Sequence, residues 1–140
     1  MSNEKVHTTN YYNTFIGVAT DCPVLKAEIP PYRGEKKTAA YLQLEIISKN
    51  PYRFTSDDVL FQVFAERNDL TEVEYKEARE HFFSKGQPCL RASPLTKRYG
   101  WGIHYNNDGR IAIVGSETNE YQTFITDQSL TIIKAMRSSK

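Results

Sequence analysis

Two runs of alternating apolar residues, at 101–105 and 111–113, flank the turn sequence at 106–109, and this pattern constrains the fold most strongly. Such alternation around an Asn/Asp/Gly turn is typical of a β-hairpin. A three-residue loop whose glycine is left-handed pairs Tyr105 with Ile111, whereas a two-residue turn would scatter the bulky side chains over both faces. We therefore predict the three-residue loop. This loop places five large apolar side chains together on one buried face, namely Trp101, Ile103, Tyr105, Ile111 and Ile113.

The N-terminal half predicts one strand and then helices. Aromatic and β-branched residues at 11–19 predict the strand. Residues 38–49 fit an alternating strand as well as a helical stripe, so the pattern alone leaves both readings open. We favour the helix, because alanines promote it, Thr38 is placed to cap it, and Asn50-Pro51 would stop it.

Two later helices begin at recognisable caps, and together these elements indicate the fold class. Thr55 is placed to accept from the amide of Asp58, and Thr71 with Glu74 forms a capping box. A short helix and a last strand are predicted over 121–125 and 130–135. We expect an α+β fold in which three to four helices pack on one face of a small mixed sheet. The sheet would combine the N-terminal strand, the hairpin and the last strand.

The composition is that of one folded domain, which we place over residues 1–140. The chain is 39% hydrophobic and 25% charged, and its net charge of +1 excludes a strongly basic tail and an acidic disordered activator. Residues 1–10 are polar and are expected to be frayed. Residues 20–37 contain three prolines and a glycine, so we predict a long loop and a candidate lid.

The N-terminal sequence and the cysteines predict a cytoplasmic protein. Residues 1–10 lack the basic and apolar regions of a signal peptide, and no apolar run approaches the roughly 20 residues that a bilayer requires. Cys22 and Cys89 are expected to be thiols in a reducing compartment. The histidines and cysteines lack metal-ligand spacing, and no cofactor motif is present, so we expect neither a metal nor a cofactor.

The solvent-facing side of the first hairpin strand carries the most unusual local pattern. If this strand extends back to Arg98, then Gly100 and Gly102 lie between Arg98 and His104 and leave a lane of bare backbone. Basic and hydroxyl side chains upstream would add charge and hydrogen-bond donors. The pattern predicts a groove for a nucleotide, phosphate, carboxylate or acidic partner. Its candidate binding residues are Arg91, Ser93, Thr96, Lys97, Arg98, Gly100, Gly102 and His104.

Other interpretations of the same residues stay open. The glycines would equally admit a closely packed helix, with the basic groups as ordinary surface. Nucleic-acid binding is disfavoured by the near-neutral charge. An enzyme would require Cys89 and His104 to meet in space, and a protein-interaction module would use the 20–37 loop. The sequence decides neither whether a reaction is catalysed nor the oligomeric state.

Long strings of the sequence resemble a family of small uncharacterised bacterial proteins, a domain of unknown function. The strings are HTTNYYNTFI at 7–16, the segment 50–61, and RASPLTKRYGWGIH at 91–104. The similarity extends over nearly the whole chain. The resemblance implies a bacterial, cytoplasmic, single-domain protein, and it implies no catalyst, ligand or fold.

Overall fold

One four-stranded mixed sheet organises the computed structural model, which describes residues 6–138. The strand order is β3-β2-β1-β4; β2 runs antiparallel to β1 and β3, and β4 runs parallel to β1. The strands are β1 (Thr14–Gly17), β2 (Trp101–Tyr105), β3 (Ile111–Gly115) and β4 (Thr131–Lys134). The helices are α1 (Ala39–Lys49), α2 (Ser56–Arg67), α3 (Glu72–Phe82), α4 (Pro94–Lys97) and α5 (Asn119–Ile125). The predicted α+β class is confirmed.

The hairpin has the predicted register. Tyr105 pairs with Ile111 and Ile103 pairs with Ile113. The loop closes through the amide of Asn106, which donates to the carbonyl of Arg110 at 3.0 Å. The glycine of the three-residue loop has a φ of 77°, as the prediction requires.

The helix starts follow the capping signals. Residues 39–49 are helical, and the hydroxyl of Thr38 accepts from the amide of Tyr41 at 3.2 Å. Thr55 and Asp58 bond each other's amides reciprocally at 3.2 and 3.1 Å. Because these interactions are local, the sequence was sufficient to place them.

The sheet is covered on both faces, so the prediction that the helices pack on one face is wrong. On one face Ile16 and its neighbours in β2 and β3 pack with Ile47 of α1 and Val59 of α2. On the other, Tyr121 of α5 lies edge-on to Phe15, with ring centres 5.2 Å apart. All four residues of β1 are buried, and a strand buried on both sides requires cover on both.

The segment before β1 is tied to α2. The Asp57 carboxylate accepts from the amide and hydroxyl of Thr9, each at 2.7 Å, and from the hydroxyl of Thr8 at 2.7 Å. Asn10 in turn accepts from the Asp57 amide at 2.9 Å. The expectation of fraying over 1–10 is therefore wrong for residues 8–10, whereas residues 1–5 lie outside the described part of the chain.

The segment 20–37 is an irregular loop that packs across the start of β2. The indole N–H of Trp101 donates to the carbonyl of Glu28 at 2.7 Å, and the Glu28 amide donates to the carbonyl of Tyr99 at 2.8 Å. Near its end the loop turns on itself, where Arg33 and Lys36 pair. Within residues 6–138, no helix is long and apolar enough to cross a membrane.

Candidate functional site

The lane of bare backbone predicted at Gly102 is filled by aromatic rings. A methyl group on Gly102 would lie 2.5 Å from Cζ of Phe15 and 2.8 Å from Cε2 of Tyr121. The glycine therefore permits α5 to pack closely on β2, which is the alternative interpretation of this residue. The open groove expected at this position is absent.

Gly100, the other glycine of the predicted lane, also permits close packing within the protein. Its φ is 81°, a conformation that favours glycine. A methyl group there would also lie 3.0 Å from Cγ2 of Val24 and 3.2 Å from the carbonyl oxygen of Lys26. The close approach of the 20–37 loop thus accounts for this glycine.

The two hydroxyl residues of the predicted set are buried and bonded within the protein. The Ser93 hydroxyl caps α4 by accepting from the amide of Leu95 at 3.1 Å, and it donates to Oε1 of Gln43 at 2.6 Å. The Thr96 hydroxyl lies 3.0 Å from the carbonyl of Leu90. Both side chains therefore stabilise the segment that forms α4.

The three basic residues of the predicted set differ in their surroundings. Nε of Arg91 donates to the carbonyl of Lys134 at 2.5 Å and so holds the end of β4. Arg98 is exposed, Lys97 is half-buried, and neither forms an ion pair within the described chain. Ligand binding by the 91–104 segment stays a prediction, but its side chains do not line one common groove.

His104 lies on the α5 face, in a small cluster with Tyr52 and Phe124. The Tyr52 hydroxyl is 2.9 Å from Nδ1 of His104, and the imidazole stacks on Phe124 with ring centres 4.3 Å apart. Burial lowers the pKa of His104, and the negative charge of Asp127 partly opposes this shift. Burial therefore favours the neutral imidazole.

Cys89 and His104 do not meet. Cys89 Sγ lies 3.5 Å from the hydroxyl of Tyr11, whose ring packs edge-on against Tyr105 with ring centres 5.4 Å apart. Tyr105 and His104 are consecutive in β2, so their side chains lie on opposite faces of the sheet. The sheet therefore separates Cys89 from His104, and the nucleophile and base that an enzyme of this type would need are not brought together.

A cleft of about 820 Å³ opens between the end of the 20–37 loop, the start of α1 and the end of α2. We call it the basic cleft, because four basic and two acidic side chains line it, leaving a net charge of +2. Two aromatic rings and several small apolar residues complete the wall. The basic residues and the tyrosines are Arg33, Lys36, Lys37, Arg67, Tyr32 and Tyr99.

Only one of these basic groups has an acidic partner in the part of the chain that the structure describes. Nζ of Lys37 lies 3.1 Å from Oε1 of Glu45; this bond raises the pKa of Lys37 and lowers the pKa of Glu45. Arg33, Lys36 and Arg67 form no ion pair with residues 6–138. These three positive charges lie in the wall together with the carboxylates of Glu66 and Asp69, so the groups without an ion pair within 6–138 leave an excess charge of +1 for an external anion.

The first turn of α1 contributes to the same potential. Thr38, Ala39 and Ala40 line the basic cleft, and this turn contains no acidic residue, whereas α2 and α3 each place two acidic residues in theirs. The partial positive charge of the α1 N-terminus is therefore not offset within its own first turn.

The sequence pattern alone did not identify the basic cleft. The pattern of Glu35-Lys36-Lys37 indicates a solvated charge cluster, and Arg67 only continues the helical spacing of the helix that begins after Thr55. The usable signal was a basic segment just before the Thr38 cap, but the approach of Arg67 is tertiary. No group of three or more His, Cys, Asp or Glu side chains within 6–138 is arranged to hold a metal ion.

The family comparison covers almost the whole chain. The model of a family described as "Family of unknown function (DUF6157)" matches residues 6–140. The chain belongs to this family. For this DUF6157 protein, the resemblance to a family of unknown function is thus confirmed. No curated protein and no solved structure matches the chain.

Proposed function

We propose that this DUF6157 protein binds a small anionic ligand in the basic cleft. The observation that carries the proposal is the convergence on a cavity of about 820 Å³ of three basic side chains that form no ion pair with residues 6–138, namely Arg33, Lys36 and Arg67. Small-molecule sites typically occupy about 300–1,000 Å³. The cleft is therefore large enough for an organic anion and carries the charge to attract it.

The wall chemistry favours a phosphate or carboxylate attached to an organic body. The guanidinium groups of Arg33 and Arg67 present planar forks of donors that match such anions. The rings of Tyr32 and Tyr99 offer apolar surface together with hydroxyl groups. A nucleotide or a phosphorylated metabolite has both parts.

The proposal retains the expected ligand class and moves its centre away from His104. Pro94 and Tyr99 of the 91–104 segment line the basic cleft, whereas Arg98 and His104 do not. Arg67 and Arg98 therefore form a matched pair for mutagenesis. Neither arginine forms an ion pair within the described part of the chain, and Arg67 lines the cleft whereas Arg98 does not.

Thermal unfolding with added pyrophosphate, citrate and adenosine monophosphate at constant ionic strength tests this proposal. A ligand at 100 times its Kd adds about 2.7 kcal/mol to the stability of the native state. We expect at least one anion to raise the Tm of the unmodified protein and of Arg98→Gln, with a much smaller shift in Arg67→Gln. No shift with any anion, or loss of the shift in Arg98→Gln alone, would contradict the proposal.

A second candidate is protein interaction through the 20–37 loop, supported by exposed apolar side chains. Leu25 is 93% and Ile29 is 69% exposed. Deleting the loop would also remove the wall of the basic cleft, so the test is Leu25→Ser with Ile29→Ser. Loss of a co-purifying partner with unchanged anion binding would support this function, and an unchanged set of partners would contradict it.

We also infer a bacterial cytoplasmic location. Support comes from Cys22 and Cys89, which are free thiols, and from the resemblance stated above. Fractionation of a bacterial host that carries the gene would show the protein in the cytoplasmic fraction. Recovery from the periplasm would contradict the inference.

A further inference from the structure

A second cavity, of about 500 Å³, adjoins the basic cleft. The two cavities share Ala39, Arg67 and Pro94 as lining residues, so Arg67 lies at their junction. We call the second cavity the apolar groove. Its main apolar wall residues are Leu60, Val63, Phe64, Phe82, Pro88 and Ala92.

The three amide side chains in the wall of the apolar groove, and the hydroxyl of Ser93, each form a hydrogen bond within the protein. Gln43 Oε1 accepts from the Ser93 hydroxyl at 2.6 Å. Nε2 of Gln87 donates to the carbonyl of Phe82 at 2.7 Å, and Nδ2 of Asn68 donates to the carbonyl of Phe64 at 2.8 Å. These bonds occupy one polar atom of each amide, and the six apolar wall residues supply the surface that the hydrocarbon part of a ligand would contact.

We propose that the basic cleft and the apolar groove bind the two ends of one amphiphilic anion. A phosphate or carboxylate headgroup lies in the basic cleft near Arg67, and a single alkyl tail extends into the apolar groove. The proposal rests on the proposed function for its headgroup and adds the chemical class of the body. Charge complementarity fixes the orientation, because among the described residues Arg67 is the one basic side chain in the wall of the apolar groove, and it lies at the junction with the basic cleft.

The tail makes a measurable contribution. Burying one methylene group raises the affinity by about fourfold at most. Because the alkyl chain is also immobilised, we expect a gain of about two- to fourfold for each methylene group. Affinity is therefore expected to rise along a series from inorganic phosphate through butyl and hexyl phosphate to decyl phosphate. The rise ends when the tail has filled the groove.

Cys89 gives a readout that reports the position of the tail. It lines the apolar groove and is absent from the wall of the basic cleft. In a Cys22→Ser variant it is the single thiol, since the chain has two cysteines. A ligand that occupies the groove slows reaction of Cys89 with a thiol reagent, whereas a ligand confined to the basic cleft does not.

The experiment measures binding by calorimetry and Cys89 labelling in parallel on Cys22→Ser. The probes are inorganic phosphate, decyl phosphate below its micelle concentration, and decanol. We expect decyl phosphate to bind at least tenfold more tightly than inorganic phosphate and to slow labelling at least tenfold. Inorganic phosphate should bind without slowing labelling, and decanol should bind more weakly than decyl phosphate.

The outcomes separate the inference from the function on which it rests. If both phosphates bind equally and labelling is unchanged, the proposal of an amphiphilic ligand is overturned and the proposal of anion binding stands. If decanol binds and protects Cys89 as well as decyl phosphate does, the proposed role of the charged headgroup is overturned. If no anion binds, both proposals fail.

An Ala92→Phe variant tests the groove from the protein side. Ala92 is half-buried in the wall of the apolar groove and does not line the basic cleft. Its phenyl ring is expected to abolish the advantage of decyl phosphate while inorganic phosphate binds as before. If Phe disturbs folding, Ala92→Val provides a smaller obstruction. An undiminished advantage of decyl phosphate in a folded variant would overturn the inference.

Discussion

The hydroxyl of Tyr52 lies 2.9 Å from Nδ1 of His104 and joins the turn before α2 to the sheet. Tyr52 has a φ of 59°, which is uncommon for a bulky residue. Its amide donates to the carbonyl of Ile111 at 2.8 Å, so the backbone is held from a second side. The contact therefore stabilises an otherwise unfavourable turn.

Removing the Tyr52 hydroxyl is expected to destabilise the protein. In Tyr52→Phe the half-buried Nδ1 of His104 loses its partner, and we expect the free energy of unfolding to fall by about 0.5–1.5 kcal/mol. Urea denaturation measures the change. Tyr12→Phe is the control, since Tyr12 is exposed, and it should stay within about 0.5 kcal/mol of the unmodified protein. Equal stabilities of the two variants would contradict the role of the bond.

Mild acidification is expected to lower the stability of the folded protein, because the pKa of His104 is lowered by burial. Burial places its pKa in the folded state below the ordinary value of 6.5. The unfolded chain therefore binds more protons between the two values, and stability falls as the pH decreases below 6.5. Glu45 and Asp127, whose pKa values are lowered, act in the same direction only at more acidic pH.

Denaturant curves between pH 7.5 and 5.5 measure this effect. We expect stability to fall over this interval in the unmodified protein and to change less in His104→Gln. The exposed residue His81 supplies the control variant, His81→Gln, which should retain the full pH dependence. Identical slopes in the His104 and His81 variants would show that His104 is not the titrating group.

Gly102→Ala is expected to be clearly destabilising. The added methyl group would lie 2.5 Å from Phe15, and the surrounding rings are closely packed. Overpacking of this kind typically costs about 1–3 kcal/mol. At Gly86 the nearest atom to an added methyl group is 3.8 Å away, so Gly86→Ala should leave stability unchanged or raise it by up to about 1 kcal/mol. Thermal and urea unfolding compare the two, and a neutral Gly102→Ala would contradict the packing of α5 on β2.

Asp57→Asn tests the attachment of the N-terminal segment to α2. The carboxylate accepts three hydrogen bonds from Thr8 and Thr9, and an amide cannot accept all of them. We expect a loss of about 1.5–3 kcal/mol, together with faster hydrogen exchange at the Thr9 amide. Asp108→Asn in the exposed hairpin loop should change neither quantity. Unchanged exchange at Thr9 would be incompatible with the contact.

The elements that the sequence predicted well depend on local interactions. The left-handed Gly109 and the alternation on either side of it fix the hairpin register. The pairs Thr55 with Asp58 and Thr71 with Glu74 lie within one turn of their helices. The capping partners are three residues apart, and the hairpin partners are 6 to 14 residues apart on either side of one loop.

The features that could not be predicted from the sequence depend on contacts between residues that are distant along the chain. The parallel pairing of β1 with β4 joins Phe15 to Ile132, and no local pattern encodes that contact. The aromatic residues of α5 fill the space over Gly102 and the 20–37 loop packs against Gly100, so the glycines that suggested a ligand groove instead permit close packing within the protein. The basic cleft likewise requires Arg67 to meet the segment 31–38.

Backbone amide NMR during a titration with pyrophosphate tests most directly whether the basic cleft binds anions. We expect saturable shifts at residues 32–40, at Arg67 and at Tyr99, and none at His104 or in α5. The shifts should be lost in Arg67→Gln and kept in Arg98→Gln. Shifts centred on 98–104, or no saturable shift at millimolar pyrophosphate, would contradict binding in the basic cleft.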